Sequence, residues 1–174
     1  MVDVKPNSSK SYNHKQSNSD FVPKLPARII ISGPSGGGKG IPCQNLLLNP
    51  KLCRDYCSKI YYDNGSNKLY HNLKPLQKYC EEELGMHKSE CLIDGWGGKQ
   101  ITYIIYKQHQ KVKETKERRQ KTIEGICLVT DDLADDHKVM HSKTLSSLFT
   151  RRRHSCITTI VMTQKCKLLD VLFV

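Results

Sequence analysis

The chain has 174 residues, which is enough for one domain with its own hydrophobic core and excludes two large domains. Its 28 Lys and Arg against 17 Asp and Glu give a net charge of +11, which favours a polyanionic partner such as nucleic acid. Without a run of roughly 18 apolar residues or the apolar stretch of a signal peptide, the sequence predicts an intracellular protein that is neither secreted nor membrane-bound.

The first 25 residues are rich in Ser, Asn and Lys, with Pro6 and Pro23 among them. Such a segment buries too little apolar surface to offset its ordering entropy, so residues 1–25 are predicted to be a disordered, basic and polar tail. Order is expected to begin with the three consecutive isoleucines between Pro26 and Gly33, which indicate a buried strand. One domain is therefore predicted over residues 26–174.

Strands and helices are predicted to alternate along this domain. The predicted helices cover residues 46–48, 68–84, 101–122 and 140–152, and the further strands cover residues 59–62, 126–130 and 157–162. Alternation of this kind indicates an α/β fold with a mostly parallel central sheet flanked by helices.

Two compositional features lie within these elements. Eight cysteines occur without a CxxC pair, so they are predicted to be free thiols, with Cys127 and Cys156 as small core residues. Seven Lys or Arg and two Glu fall between residues 107 and 121. A solvated helix face is favoured there over a surface that tracks DNA.

A glycine-rich loop follows the first predicted strand and matches GxxxxGK, the P-loop or Walker A pattern. Its glycines would let backbone N–H groups surround phosphates, while Lys39 would neutralise their charge. The residues predicted to bind ATP are Gly33, Pro34, Ser35, Gly36, Gly37, Gly38, Lys39 and Gly40. A flexible glycine-rich turn is the alternative, and the position between a strand and a helix disfavours it.

Gly40 departs from the P-loop pattern, which has Ser or Thr after the lysine as a ligand for Mg²⁺. Gly40 supplies no hydroxyl, and Pro42 is expected to strain the first turns of the next helix. ATP binding with impaired hydrolysis is therefore predicted.

Two acidic residues end the predicted strand 126–130. Asp131 is predicted to bind Mg²⁺, and Asp132 to act as the catalytic base that orients and deprotonates water. A solvated acidic turn is the alternative. Their position at the carboxyl end of a strand is where open α/β sheets bind ligands.

Arginines and a glutamine near the C-terminus complete the candidate site. Arg151 or Arg153 is a candidate arginine finger for a neighbouring subunit, with a basic helix end as an equally weighted alternative. Gln164 follows the last predicted strand and is a candidate sensor of the γ-phosphate.

The strings IIISGPSGGGKG, LVTDDLADD, LFTRRRH and TTIVMTQK, in this order, resemble the FtsK/HerA-type genome-packaging ATPases of large DNA viruses and virus-like transposons. The resemblance covers about residues 28–167. It implies a P-loop fold of the additional-strand type, in which an extra strand joins the core sheet. It also implies a homo-oligomeric ring, ATP and Mg²⁺ as cofactors, and pumping of double-stranded DNA into a capsid, with capsid or portal components as further partners.

The same resemblance assigns Lys39 to phosphate, Asp131 to Mg²⁺, Asp132 to base catalysis, Gln164 to sensing, and Arg151 or Arg153 to the finger. It places the protein in the cytoplasm or nucleus of an infected or host cell, or in the virion. Relatives continue through at least one more strand and helix, so the domain is predicted to be incomplete at its C-terminal end.

Two other functions stay open. An inactive nucleotide- or nucleic-acid-binding remnant is favoured by Gly40 and by the short C-terminus. A nucleotide kinase of the guanylate type has a similar P-loop, but it does not need the Asp131–Asp132 strand end followed by Gln164.

Overall fold

The computed structural model describes residues 15–64, 70–93, 99–131, 143–150 and 155–164. In chain order, the elements are β1 (Arg28–Ser32), α1 (Gly40–Leu48), β2 (Cys57–Asn64), a 3₁₀ turn (Tyr70–Leu73), α2 (Lys74–Glu82), α3 (Lys88–Cys91), β3 (Leu92–Ile93), α4 (Lys99–Glu117), β4 (Gly125–Asp131), α5 (Lys143–Thr150) and β5 (Ile157–Thr163).

The five strands form one parallel sheet in the order β1-β5-β4-β2-β3. The last strand, β5, lies between β1 and β4, with Ile160 opposite both Ile29 and Val129. This arrangement confirms the predicted α/β class. It also confirms the additional strand, because β5 separates the strand that precedes the glycine-rich loop from the strand that ends in Asp131.

Helices cover both faces of the sheet. On one face, Cys43 and Leu47 of α1 and Leu76 of α2 belong to a cluster with Ile60 and Val129. Since neighbouring strand residues point to opposite faces, Leu128 belongs to the second cluster. That cluster contains Ile101, Ile104 and Ile105 of α4, Leu148 of α5 and Val161 of β5.

Several helices and strands differ from the predicted ones in their limits or were not predicted. The helix predicted over 101–122 begins at Lys99 and ends at Glu117. The short α3 and the two-residue β3 were not predicted. Pro42 lies in the first turn of α1, where a backbone N–H has no helical partner to lose, and the helix forms around it.

Cysteines are buried and unpaired at all seven positions within the described ranges, as predicted for free thiols. Cys127 and Cys156 are 0% and 2% exposed, which confirms both as core residues. Burial raises the pKa of the Cys156 thiol to about 11, because a thiolate would lose hydration there.

The N-terminal segment from residue 15 contacts the domain. The Gln16 side chain exchanges two hydrogen bonds with the backbone of Leu25, at 2.7 and 2.8 Å. Leu25 packs against Ala27 and Cys53. Residues 1–14 lie outside the described ranges, so the tail boundary stays a prediction. No helix among the described residues is long and apolar enough to cross a membrane.

Candidate functional site

The glycine-rich loop joins the carboxyl end of β1 to the start of α1. Gly36 and Gly38 have φ angles of 69° and 72°, in the left-handed region that favours glycine. A Cβ on Gly37 would lie 2.9 Å from the Pro34 carbonyl oxygen, too close for any side chain. The loop conformation therefore depends on these three glycines.

Lys39 directs its side chain back onto the loop. Its Nζ donates hydrogen bonds to the carbonyl oxygens of Gly33 and Pro34, both at 3.0 Å. Those carbonyls hold the ammonium group against the loop backbone. An anion bound by the loop would meet this positive charge directly.

Gly40 is the first residue of α1. A Cβ built on it meets no atom within 4 Å, and its φ is not in the left-handed region. The structure therefore has room for a Ser side chain at position 40, and the backbone conformation there allows it. The hydroxyl is missing only because the sequence has Gly at this position.

Asp131 is the last residue of β4 and is partly buried. Its Oδ2 accepts a hydrogen bond of 3.1 Å from the Tyr62 hydroxyl. Burial, followed by the charge of Asp131, raises the pKa of the Cys43 thiol to about 12. Tyr62 belongs to the same core cluster as Cys43 and Leu47 of α1, so its hydrogen bond to Asp131 places the carboxylate on the side of the sheet that α1 covers.

Tyr62 is a site residue that the sequence did not reveal. It is 2% exposed, and burial together with the neighbouring Asp131 keeps its pKa far above the ordinary value. The phenol therefore stays protonated and donates to the carboxylate. In the sequence it was only one of two tyrosines in a predicted strand, and no motif marked it.

The sequence also did not reveal the burial of Asp63. It is fully buried near the carboxyl end of β2, opposite Thr130 of β4. Because neighbouring strand residues point to opposite faces, its side chain lies on the other face of the sheet from that of Tyr62. Its place before Asn64 and Gly65 made it appear to be an ordinary strand end.

The start of the loop is tied to the end of β5. The backbone N–H of Gly33 donates to the carbonyl oxygen of Thr163 at 3.1 Å, and the exposed Gln164 follows directly. Because the strands are parallel, the loop, Asp131 and Gln164 all follow or end strands at the same, carboxyl-terminal edge of the sheet. Asp132, Arg151 and Arg153 lie outside the described residues, and their predicted roles stay predictions.

This geometry defines the class: a P-loop ATPase fold of the additional-strand type. Two solved structures share it. "EssC (ATPases 2 and 3)" from Geobacillus thermodenitrificans aligns with a TM-score of 0.55 at 16% identity, covering 84% of this chain and 31% of that chain. "The cytoplasmic domain of EssC" aligns with a TM-score of 0.52 at 15% identity, covering 84% and 32%. The chain thus spans about a third of these solved chains.

Part of the chain also matches a protein-family model. The model described as "Poxvirus A32 protein" matches residues 96–173, which contain α4, β4 and β5. This match confirms the predicted resemblance to viral packaging ATPases. Among curated proteins, none matches the chain.

Proposed function

We propose that this chain is the ATP-binding subunit of a viral-type motor that packages double-stranded DNA. The observation that carries the proposal is the position of the glycine-rich loop, Asp131 and Gln164 at the same edge of the sheet, with β5 inserted between β1 and β4. The match over residues 96–173 gives independent support. In this proposal the subunits form a homo-oligomeric ring, which acts with capsid or portal components.

The loop and Lys39 hold the nucleotide phosphates. Backbone N–H groups of the loop donate to the phosphate oxygens, and the Lys39 ammonium exchanges its two carbonyl partners for them. Asp131, oriented by Tyr62, is the carboxylate suited to Mg²⁺. When bound, Mg²⁺ neutralises charge on the β- and γ-phosphates.

The chemical step belongs to residues around the γ-phosphate. Asp132 accepts a proton from the attacking water, and Gln164 contacts the γ-phosphate from the end of β5. Arg151 or Arg153 of a neighbouring subunit stabilises the charge that develops in the transition state. Hydrolysis by the unmodified chain is weak, because Gly40 leaves Mg²⁺ with one ligand fewer.

An inactive remnant that binds nucleotide or nucleic acid is the second candidate, and the missing hydroxyl at Gly40 favours it. Such a remnant would bind ATP or nucleic acid as the motor does, but it would not hydrolyse ATP. A guanylate-type kinase ranks third, since nothing in its reaction uses an amide such as Gln164 at the end of β5.

ATP titration tests the proposal at its first step. We expect weak ATP binding that changes little with Mg²⁺ in the unmodified chain and disappears in Lys39→Ala. Gly40→Ser should add a Mg²⁺-dependent gain of about tenfold or more, because it restores a direct ligand. Calorimetry with and without Mg²⁺ measures both, with Gly40→Ala as the matched control. Unchanged ATP binding by Lys39→Ala would contradict the proposed site.

Tyr62→Phe removes only the hydroxyl that holds Asp131. In the Gly40→Ser chain we expect it to raise the Mg²⁺ concentration needed for tight ATP binding by about tenfold, because partners that orient a metal ligand contribute about 10- to 100-fold to metal affinity. Mg²⁺ titration at fixed ATP measures the change. Tyr61→Phe, at the preceding residue of β2, is the control. An equal effect of both substitutions would show that Tyr62 acts through packing alone.

Duplex DNA binding tests the partner. The charge of +11 should make affinity independent of DNA sequence and steeply dependent on salt. Lys and Arg side chains that bind DNA phosphates release the counterions condensed on the DNA, and added salt opposes this release. Fluorescence anisotropy at 50 and 200 mM salt should show a loss of about a thousandfold if roughly six phosphates are contacted. An affinity that stays constant with salt would rule out this mode of binding.

A further inference from the structure

Helix α4 exposes two aromatic rings to solvent. Tyr103 and Tyr106 are 55% and 59% exposed, while Ile101, Ile104 and Ile105 of the same helix are at most 8% exposed. The isoleucines anchor α4 to the sheet. Residues three apart lie on the same side of a helix, so both rings lie on the solvent side together.

Two exposed lysines accompany these rings on α4. The Nζ of Lys107 lies 5.0 Å from the centroid of the Tyr103 ring, which is within the range of a cation–π contact. Lys113 is also exposed and forms a long ion pair of 3.9 Å with Glu117. We call Tyr103, Tyr106, Lys107 and Lys113 the aromatic–basic face of α4.

The end of α4 continues this charge. Arg119 has a φ of 57°, and the N–H of Gln120 donates to the carbonyl oxygen of Thr115 at 3.1 Å, so Arg119 occupies the left-handed position that usually belongs to glycine. The chain keeps an exposed arginine where glycine would fit better, between exposed Arg118 and Lys121.

We infer that the aromatic–basic face of α4 binds single-stranded nucleic acid. Ammonium and guanidinium groups attract the phosphates of any nucleic acid, but exposed aromatic rings stack only on bases whose faces are accessible. In a duplex those faces are covered by neighbouring base pairs. Between residues 107 and 121, seven Lys or Arg outnumber Glu114 and Glu117. Together with the two exposed rings, this excess of positive charge favours single strands, an activity beyond the duplex motor proposed above.

The aromatic residues provide the sharpest test. We expect Tyr103→Ala and Tyr106→Ala each to weaken binding of a fluorescent single-stranded oligonucleotide by about 5- to 100-fold, as expected for the loss of one stacked base. The same variants should leave duplex affinity within about twofold, because a duplex offers no base face to stack on. Tyr106→Phe should keep single-strand affinity. Phe21→Ala is the matched control, since Phe21 is an aromatic residue 93% exposed outside α4.

The chain also offers a matched pair of lysines. Lys113–Glu117 on α4 and Lys78–Glu82 on α2 are both exposed i,i+4 pairs at 3.9 Å, on opposite faces of the sheet. Lys113→Gln should weaken single-strand binding and reduce its salt dependence by about one phosphate contact. Lys78→Gln should change neither quantity.

Arg119→Gly separates binding from folding. It should raise the melting temperature, because glycine accepts the left-handed backbone, while lowering single-strand affinity. Circular dichroism checks the fold of each variant.

The inference fails if the unmodified chain does not bind single strands. It also fails if the tyrosine variants bind them unchanged, or if these variants lose duplex and single-strand affinity equally. All measurements are made without ATP, so loss of nucleotide binding in Lys39→Ala leaves this test intact.

Discussion

Asp132→Asn, introduced into the Gly40→Ser chain, is expected to lower ATP turnover by about 10²- to 10⁴-fold, the range that a general base contributes. Asparagine keeps the shape of the side chain but cannot accept the proton from water. Phosphate release under saturating ATP measures the effect, with duplex DNA present. ATP affinity should stay unchanged, because Asp132 is not assigned to phosphate or to Mg²⁺.

A mixing experiment extends this prediction to the arginine finger. Chains with Asp132→Asn and chains with both Arg151→Ala and Arg153→Ala should each be inactive alone. Mixed together, they should recover part of the turnover, because some interfaces combine an intact base with an intact arginine from the neighbour. If Gly40→Ser chains bind ATP and DNA but turn over no ATP, the motor assignment loses its support and the remnant is favoured.

Leu128→Ala is expected to destabilise the fold by about 2 to 5 kcal/mol, the usual cost of truncating a buried leucine. Leu128 is 0% exposed in β4 and packs between the sheet and the helices α4 and α5. Because β4 also ends in Asp131, the substitution should loosen the site as well as the core. Urea unfolding measures the loss.

The control for this substitution is Ile41→Ala. Ile41 is 66% exposed at the start of α1, so its truncation should change the free energy of unfolding by no more than about 0.5 kcal/mol. Equal destabilisation by both substitutions would show that the buried Leu128 contributes no more to the free energy of unfolding than the exposed Ile41 does.

The sequence predicted the parts of the fold that local pattern encodes. The run of β-branched residues from Ile29 to Ile31 correctly identified a strand, and the loop after it matches a known phosphate-binding motif. The prediction that this strand is buried on both faces was wrong, because β1 is the outer strand of the described sheet and its isoleucines are only partly buried. The two-residue β3 and the one-turn α3 are too short to form a period, so no pattern revealed them. The end of α4 was placed five residues too late, because polar residues continue past Glu117 without a glycine to mark the cap.

Candidate site residues that directly follow or end one strand could be predicted from the local sequence. Those that depend on the pairing of two strands could not. Gly33 to Gly40 and Asp131 were located from their own neighbours in sequence. Tyr62 becomes a site residue only because β2 pairs with β4, which brings its hydroxyl to Asp131. The outward orientation of Tyr103 likewise depends on which side of α4 packs on the sheet.

The hydrogen bond from Gly33 to Thr163 gives the site a mechanical property. This bond joins the first residue of the glycine-rich loop to the last residue of β5, directly before Gln164. If Gln164 contacts the γ-phosphate as proposed, its movement when phosphate leaves would act on Gly33 through this hydrogen bond. Product release and a change in the phosphate-binding loop would then be coupled directly, and the subunit could transmit force without a separate hinge.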